Sequence, residues 1–247
     1  MSKVEVRLSV IMPVLNGAAH LEESLNCLAE SLKACDETIV IDDGSVDATP
    51  EIIKSFFTKL QKLHVITNLL PTSPSSARNA GLAIANGKYI SFLDHDDLWT
   101  KGRVERHLDY LERHSEFGAI VGKVNNEFEG EIAERAFAFK NGSTALHHVH
   151  LGAATFRADI FKSLGFFNES LRFSEDHEFF LRMREQGHKI YFDPDVSLRY
   201  RVHGTNMTLD KSLHELGMFR ILKESIKRRQ LQGNMQQLPK FGDPSDV

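Results

Sequence analysis

The chain has 247 residues, 41% of them hydrophobic, and a formal charge of −4, which suits a soluble α/β protein and leaves no basic footprint for nucleic acid. Its two cysteines, Cys27 and Cys35, belong to no CxxC pair, so neither a disulfide scaffold nor a structural zinc site is expected. No run approaches the roughly 20 apolar residues that span a bilayer. Met1 to Val10 lacks the apolar core of a signal peptide, and a cytoplasmic location is the expectation.

Taken in chain order, Leu8 to Met12 is an apolar run that predicts a buried strand, ended by Pro13 and the Asn16–Gly17 pair. Leu21, Leu25, Leu28 and Leu32 are spaced as one helix face. Thr38 to Ile41 predicts a second strand, closed by Asp42-Asp43-Gly44-Ser45. Thr49 before Pro50 reads as an N-cap, with Ile52, Ile53, Phe56, Phe57 and Leu60 as the helix face that follows. Val65–Ile66 predicts a third strand, and Ala77 to Ala85 a helix. Tyr89 to Leu93 predicts a fourth strand, running straight into Asp94-His95-Asp96-Asp97, and Val104, Leu108 and Leu111 mark another helix. This rhythm predicts an α/β fold with a single, Rossmann-like, mainly parallel sheet flanked by helices.

The second half is less regular. Gly118 to Phe139 predicts strands with an acidic connection over Glu127 to Glu134, and Ala153 to Phe156 another strand. Ile160 to Leu164 and Glu175 to Glu185 predict helices. Lys189 to Phe192 and Ser197 to Val202 predict two strands, parted by Asp193–Pro194. Leu213 to Arg229 predicts an amphipathic helix, and Gln230 to Val247 a flexible tail. One domain over 1–229 is expected, made of a regular half at 1–115, a less regular half at 116–208 and a C-terminal helix at 209–229.

Ligands of such sheets bind beyond the carboxyl ends of the strands. Three polar clusters fall at such ends: Asn16–Gly17, Asp42 to Asp47, and Asp94 to Asp97. Asp94, Asp96 and Asp97 crowd three carboxylates, which a hard cation such as Mg²⁺ or Mn²⁺ would relieve. Alternation along an extended segment turns Asp94 and Asp96 to the same side. The blander reading is an acidic turn in which Asp97 caps the next helix. His203 ends a predicted strand, where an imidazole serves as a ligand or as an ordinary loop residue. His147, His148 and His150 fit no standard zinc spacing and read as surface residues or substrate contacts. Glu175–Asp176 at a helix start has a plain use in capping. No GxGxxG or GxxxxGK[ST] sequence is present, so a nucleotide would be held differently from NAD or ATP in those classes.

Taken together, the motifs resemble the inverting glycosyltransferases of family 2, with the GT-A fold, over roughly residues 8 to 208. The carriers are the run from Ser9 to Asn16, the run from Ile39 to Thr49, Ala77-Arg78-Asn79-Ala80-Gly81, the run from Gly87 to Trp99, Gly165-Phe166-Phe167-Asn168-Glu169 and Ser174-Glu175-Asp176. The resemblance implies transfer of a sugar from a nucleoside-diphosphate sugar, UDP-linked by preference, to a hydroxyl acceptor with the help of a divalent cation. It implies Asp43 and Arg78 as base contacts and Pro13 and Leu15 flanking the base pocket. It makes 1–115 the nucleotide-sugar-binding half, with Asn16, His95, Asp94 and Asp96 on the donor side, and 116–208 the acceptor-side half. Asp96, Asp94 and His203 are the implied metal ligands, and Asp176 the catalytic base. Gly152, Glu175 and Asp176 fall on the acceptor side. This chain departs from the pattern at Pro71 to Ser76, where relatives often carry a glycine pair, and at Asn168, where Asp is usual. Two other classes stay open: a hydrolase with paired carboxylates and a non-catalytic sugar- or nucleotide-binding protein. The basic residues Arg220, Lys223, Lys227, Arg228 and Arg229 of the C-terminal helix suit either a solvated face or peripheral contact with acidic lipid.

Overall fold

The structure is a computed structural model that describes residues 5–129, 145–207, 211–233 and 238. The acidic connection expected beyond Glu129 and most of the expected tail lie outside the described residues.

The first half alternates strands and helices: β1 (Leu8–Val14), α1 (Leu21–Ser31), β2 (Glu37–Asp42), α2 (Thr49–Ser55), β3 (Leu63–Thr67), α3 (Pro74–Ile84) and β4 (Tyr89–Phe92). These strands pair in parallel in the order β3-β2-β1-β4. β1 lies between β2 and β4, so the strand order reverses there and the loops after β1, β2 and β4 converge at one edge. β1 and β2 are buried along nearly their whole length, which is why they read as continuous apolar runs rather than alternating ones. α3 lies close on this sheet because Gly81 has no side chain. A Cβ there would stand 2.6 Å from Ile11 Cγ2.

The second half continues the same sheet with β5 (Leu98–Trp99), α4 (Arg103–Arg113), β6 (Phe117–Phe128), β7 (Ala145–Leu146), a 3₁₀ turn at Leu151–Ala153, β8 (Ala154–Arg157), α5 (Ala158–Leu164), α6 (Glu175–Glu185), β9 (Lys189–Val202) and α7 (Met218–Leu231). The order runs on as β4-β8-β6-β9-β5, with β7 beside β6. Here β8 is antiparallel to β4 and β6, and β5 is antiparallel to β9, while β6 and β9 run parallel. The expected central sheet is present, and its antiparallel pairings all belong to this half.

Four local expectations are corrected. Thr49 is the first residue of α2 rather than its cap; its Oγ1 accepts the Gly17 N–H at 2.9 Å, and Asp47 Oδ1 accepts the Thr49 N–H at 3.0 Å. α2 ends at Ser55, and Phe56 and Leu60 are buried from the turns that follow. Lys189 to Val202 is one strand, since shifts in its register against β6 absorb Asp193–Pro194 without ending the pairing. The C-terminal helix begins at Met218 after Gly217, whose φ of +74° sets the turn.

An aromatic cluster fastens α5 and α6 to the sheet. Phe92, the last residue of β4, packs edge-on to Phe156, Phe161 and Phe167 with ring centroids 5.4–6.2 Å apart. Phe179 of α6 stacks on Phe161 at 4.8 Å and meets Phe167 at 5.0 Å. Such pairs contribute about 0.5–1.5 kcal/mol each beyond their burial. They place the start of α6 next to the end of β4, where the acidic cluster begins.

Candidate active site

The three expected loops do meet. Asn16, held at φ 51°, donates its N–H to Ser45 Oγ and accepts the Val46 N–H on Oδ1, both at 2.9 Å. Ala18 donates to Asp47 Oδ2 at 3.1 Å. A Cβ on Gly17 would stand 2.5 Å from the His95 ring, so the β1 and β4 loops touch. Pro13 is half-buried, and Leu15 is 39% exposed at the rim.

Asp43 is buried and already engaged. Its Oδ1 accepts from Asn68 Nδ2 at 2.7 Å and Thr72 Oγ1 at 2.8 Å, and its Oδ2 accepts the Thr72 N–H at 2.8 Å. The carboxylate therefore secures the 68–72 loop and keeps one acceptor position on Oδ2 for a further N–H.

Arg78 ties the two halves together. It projects from the first turns of α3, is buried, and donates Nη2 to Asp94 Oδ1 at 2.6 Å and Nη1 to Glu175 Oε1. Its two terminal nitrogens are thus committed to carboxylates, one from each half; Nε has no hydrogen-bond partner among the described residues. Burial disfavours the cation, but Asp94 and Glu175 more than compensate, and the Arg78 pKa is raised. For Asp94, burial pushes the pKa up, and Arg78 and then His150 overcome it, leaving a carboxyl below its ordinary range. For Glu175, burial prevails over Arg78, with Asp176 adding repulsion, and the pKa is raised. Asn79, next in α3, clamps the acceptor-side loop with bonds to both Phe167 backbone groups and to Glu169 Oε1 at 2.8–3.0 Å.

The acidic cluster divides in two. Asp96 Oδ2 meets His203 Nε2 at 3.1 Å, and the His203 ring stacks on His20 with centroids 4.9 Å apart. Asp94, Asp97 and His150 offer ligand atoms within 4.8 Å of one another. Asp97 is fully buried and does not cap α4: Oδ1 accepts the Arg201 N–H at 3.0 Å, while Oδ2 has no hydrogen-bond partner among the described residues. Burial, with Asp96 and Asp94 beside it, pushes the Asp97 pKa well up. Excess carboxylate of this kind, with an unpartnered buried oxygen, fits a hard divalent cation. His150 is less suited to ligation. Gly152 donates its N–H to His150 Nδ1 at 3.1 Å, so a neutral ring carries its proton on Nε2 and turns that N–H toward Asp97 Oδ2, 3.9 Å away. Burial lowers the His150 pKa to about 4, keeping the ring neutral near pH 7. Gly152 itself is buried, with its carbonyl accepting from Trp99 Nε1 at 2.9 Å.

Asp176 stands at the second position of α6, after Ser174, whose φ of 60° is left-handed. Its Oδ1 accepts the His177 N–H at 2.7 Å and pairs with His177 Nδ1 at 2.8 Å. Burial raises its pKa, but the bond and charge of His177 overcome that and leave the carboxyl low. Sequence reasoning set His150 aside as a surface or substrate contact and missed the roles of Asn79 and His177. Asn79 stood inside a recognised motif. His177 carried no periodicity or spacing that could have marked it.

The model described as Glycosyl transferase family 2 matches residues 9–194. An uncharacterised glycosyltransferase of Rickettsia prowazekii is 28% identical over 81% of this chain and 65% of its own length. The minor teichoic acid biosynthesis protein GgaA of Bacillus subtilis is 31% identical over 70% of this chain and 42% of its own. The chain thus spans less than two thirds of either relative. Among solved structures, S. aureus TarS 1–349 in complex with UDP-GlcNAc superposes with a TM-score of 0.74 at 19% identity, over 94% of this chain and 68% of that one. The mannosyltransferase PcManGT from Pyrobaculum calidifontis, in complex with GDP-Man and Mn²⁺, gives 0.63 at 19% identity over 97% and 68%. The shared architecture is GT-A.

Replacing Arg78 tests its role as the tie between halves. Arg78→Met leaves buried Glu175 and half-buried Asp94 without their cation and should cost about 3 kcal/mol near pH 7. In the parent, the lowered Asp94 pKa contributes stability above the ordinary carboxylate value of about 4, lost as pH falls through its depressed one. In the variant, burial raises both pKa values, so stability should instead recover as pH falls toward 5. Urea midpoints at pH 7 and 5 check this; a variant equal to the parent at both would contradict it.

Proposed function

Because this chain belongs to glycosyl transferase family 2, we propose that it moves a sugar from a nucleoside-diphosphate sugar, foremost a UDP-sugar, to an acceptor hydroxyl in the synthesis of a polysaccharide, glycolipid or other glycoconjugate. The observation that carries the reading is the Arg78 bridge, which joins Asp94 of the donor half to Glu175, the neighbour of Asp176. UDP is favoured by the UDP-GlcNAc named with the TarS structure, and the GDP-Man named with PcManGT makes a guanosine donor the alternative.

Asp176 is the general base. Its depressed pKa keeps it ionised near neutrality, and it accepts the proton of the hydroxyl whose oxygen attacks the anomeric carbon. The bond to the diphosphate breaks on the opposite face, which inverts the anomeric configuration. Asp43 accepts a base N–H on its remaining Oδ2 position, between Pro13 and Leu15. Asp94, Asp96 and His203 would hold Mn²⁺ or Mg²⁺, with the carboxyl of Asp97 close to Asp94. When bound, the cation supplies neutralisation of the charge gathering on the departing diphosphate. Gly152 and Glu175 border the acceptor.

The proposal includes a cytoplasmic location, in keeping with two free thiols, and contact with a membrane surface through α7. No helix among the described residues is long and apolar enough to cross a membrane. The inner side of α7 is occupied by Ile221 and Ser225 and by Arg228 paired with Glu178 and Glu185. Its outer side shows Phe219, Leu222 and Ile226, 62%, 47% and 43% exposed, with Lys223 and Lys227 beside them. Apolar residues flanked by lysines suit an anionic lipid surface.

Asp176→Asn should keep nucleotide-sugar binding and lose at least about 100-fold in transfer, measured as UDP release and product over a panel of saccharide acceptors. Undiminished transfer would remove Asp176 as base, and a product that retained the donor's configuration would remove the single displacement. The intact chain should float with phosphatidylglycerol-rich vesicles at low salt, and Leu222→Glu with Ile226→Glu should abolish this. A parent that stays at the bottom of the gradient would refute the surface contact.

A further inference from the structure

The bond between Asp176 and His177 is more than a helix-start contact. At the first turn of a helix an aspartate ordinarily serves the free backbone N–H groups and the helix dipole. Here the carboxylate turns forward, and its Oδ1 takes both the backbone N–H and the Nδ1 of the next residue, at 2.7 and 2.8 Å. Oδ2 accepts no hydrogen bond among the described residues. The imidazole reaches outward, with its side chain 37% exposed against 22% for Asp176.

Building on Asp176 as the base, we propose that His177 is its positioning residue: it binds Oδ1, leaves Oδ2 as the single oxygen that receives the acceptor proton, and compensates the charge change that follows.

The surroundings favour this division of labour. Glu175 and His177 face Asp176 from its own helix, Arg78 from α3, and His148 and His150 from the segment before β8. Arg78 is already committed to Asp94 and Glu175. His150 is kept neutral by burial, and burial lowers the His148 pKa as well. His177 alone among the three histidines is raised: burial opposes its cation, but the bond to Asp176 overcomes it. The step then balances. The acceptor O–H bond breaks and its proton goes to Oδ2, while the acceptor oxygen bonds the anomeric carbon and the electron pair of the broken glycosidic bond leaves with the diphosphate. Once Asp176 is neutral the pair carries one positive charge and the imidazolium has lost its main partner; it gives its Nε2 proton to water, and the pair returns to neutrality.

The test uses the intact chain. Histidine NMR titration should show His177 protonated to a pH above the ordinary histidine value, and less so in Asp176→Asn. The acidic limb of the kcat profile for UDP release from UDP-N-acetylglucosamine should move up by about one pH unit in His177→Leu. His177→Leu should lower kcat about 10- to 100-fold with little change in donor KM. His177→Asn, whose Nδ2 takes the place of Nδ1, should restore most of kcat. A His177 titration indifferent to Asp176→Asn, or an acidic limb unmoved in a folded His177→Leu, overturns the proposal. Asp176→Asn with undiminished UDP release rejects the base itself and, with it, this role, even where the titration shows the pair intact.

Discussion

Two carboxylates from opposite halves of the chain share one buried cation. Arg78 holds Asp94, at the end of β4, and Glu175, at the start of α6, on separate nitrogens. A buried guanidinium is tolerable only while it is paired, and Arg78 takes its partners from both halves, half-buried Asp94 from its own and buried Glu175 from the other. The aromatic cluster around Phe92 and the Asn79 clamp on Phe167 supply the apolar and hydrogen-bonded frame that fixes this spacing. The catalytic proposal follows from the frame, because Asp176 is the residue after Glu175 and cannot be placed independently of it.

Much of the first half could be read before any coordinates. Leu8 to Met12, Thr38 to Ile41 and Tyr89 to Leu93 are buried on both faces, so their apolar runs are strand signals that turn chemistry then delimits. The three polar clusters followed from the rule that such sheets bind ligands at the carboxyl ends of strands. The second half was less legible. β5 is two residues long and exists because β9 offers it a partner at Leu198 and Arg199; no local pattern encodes a pairing across about 100 residues. Asp193–Pro194 looked like a strand end because proline donates no ladder bond, yet β6 and β9 continue past it with a shifted register.

The site shows the same division. Asp94, Asp96 and Asp43 were singled out from charge crowding and strand position, and Asp176 only from resemblance. What they touch was not readable. Arg78 was expected on a nucleotide base and is spent on carboxylates. Asp97 suggested a helix cap and is instead a buried carboxyl bonded to the backbone of Arg201. His150 enters the acidic group because the 3₁₀ turn at Leu151–Ala153 folds Gly152 back onto its Nδ1. Each of these depends on a partner far away in the chain, which composition and spacing do not specify.

The account makes the acidic cluster a place where a nucleotide sugar and a divalent cation bind together. The most direct measurement is thermal unfolding of the intact chain with UDP-, dTDP- and GDP-sugars, each with Mn²⁺, Mg²⁺ or chelator. A donor at a hundred times its Kd stabilises by about 2.7 kcal/mol. The account predicts that at least one nucleotide sugar raises the Tm with Mn²⁺ or Mg²⁺, and that the rise is lost with chelator and in Asp96→Ala. A full panel that leaves the Tm unmoved, or a rise indifferent to both chelator and Asp96→Ala, would contradict it.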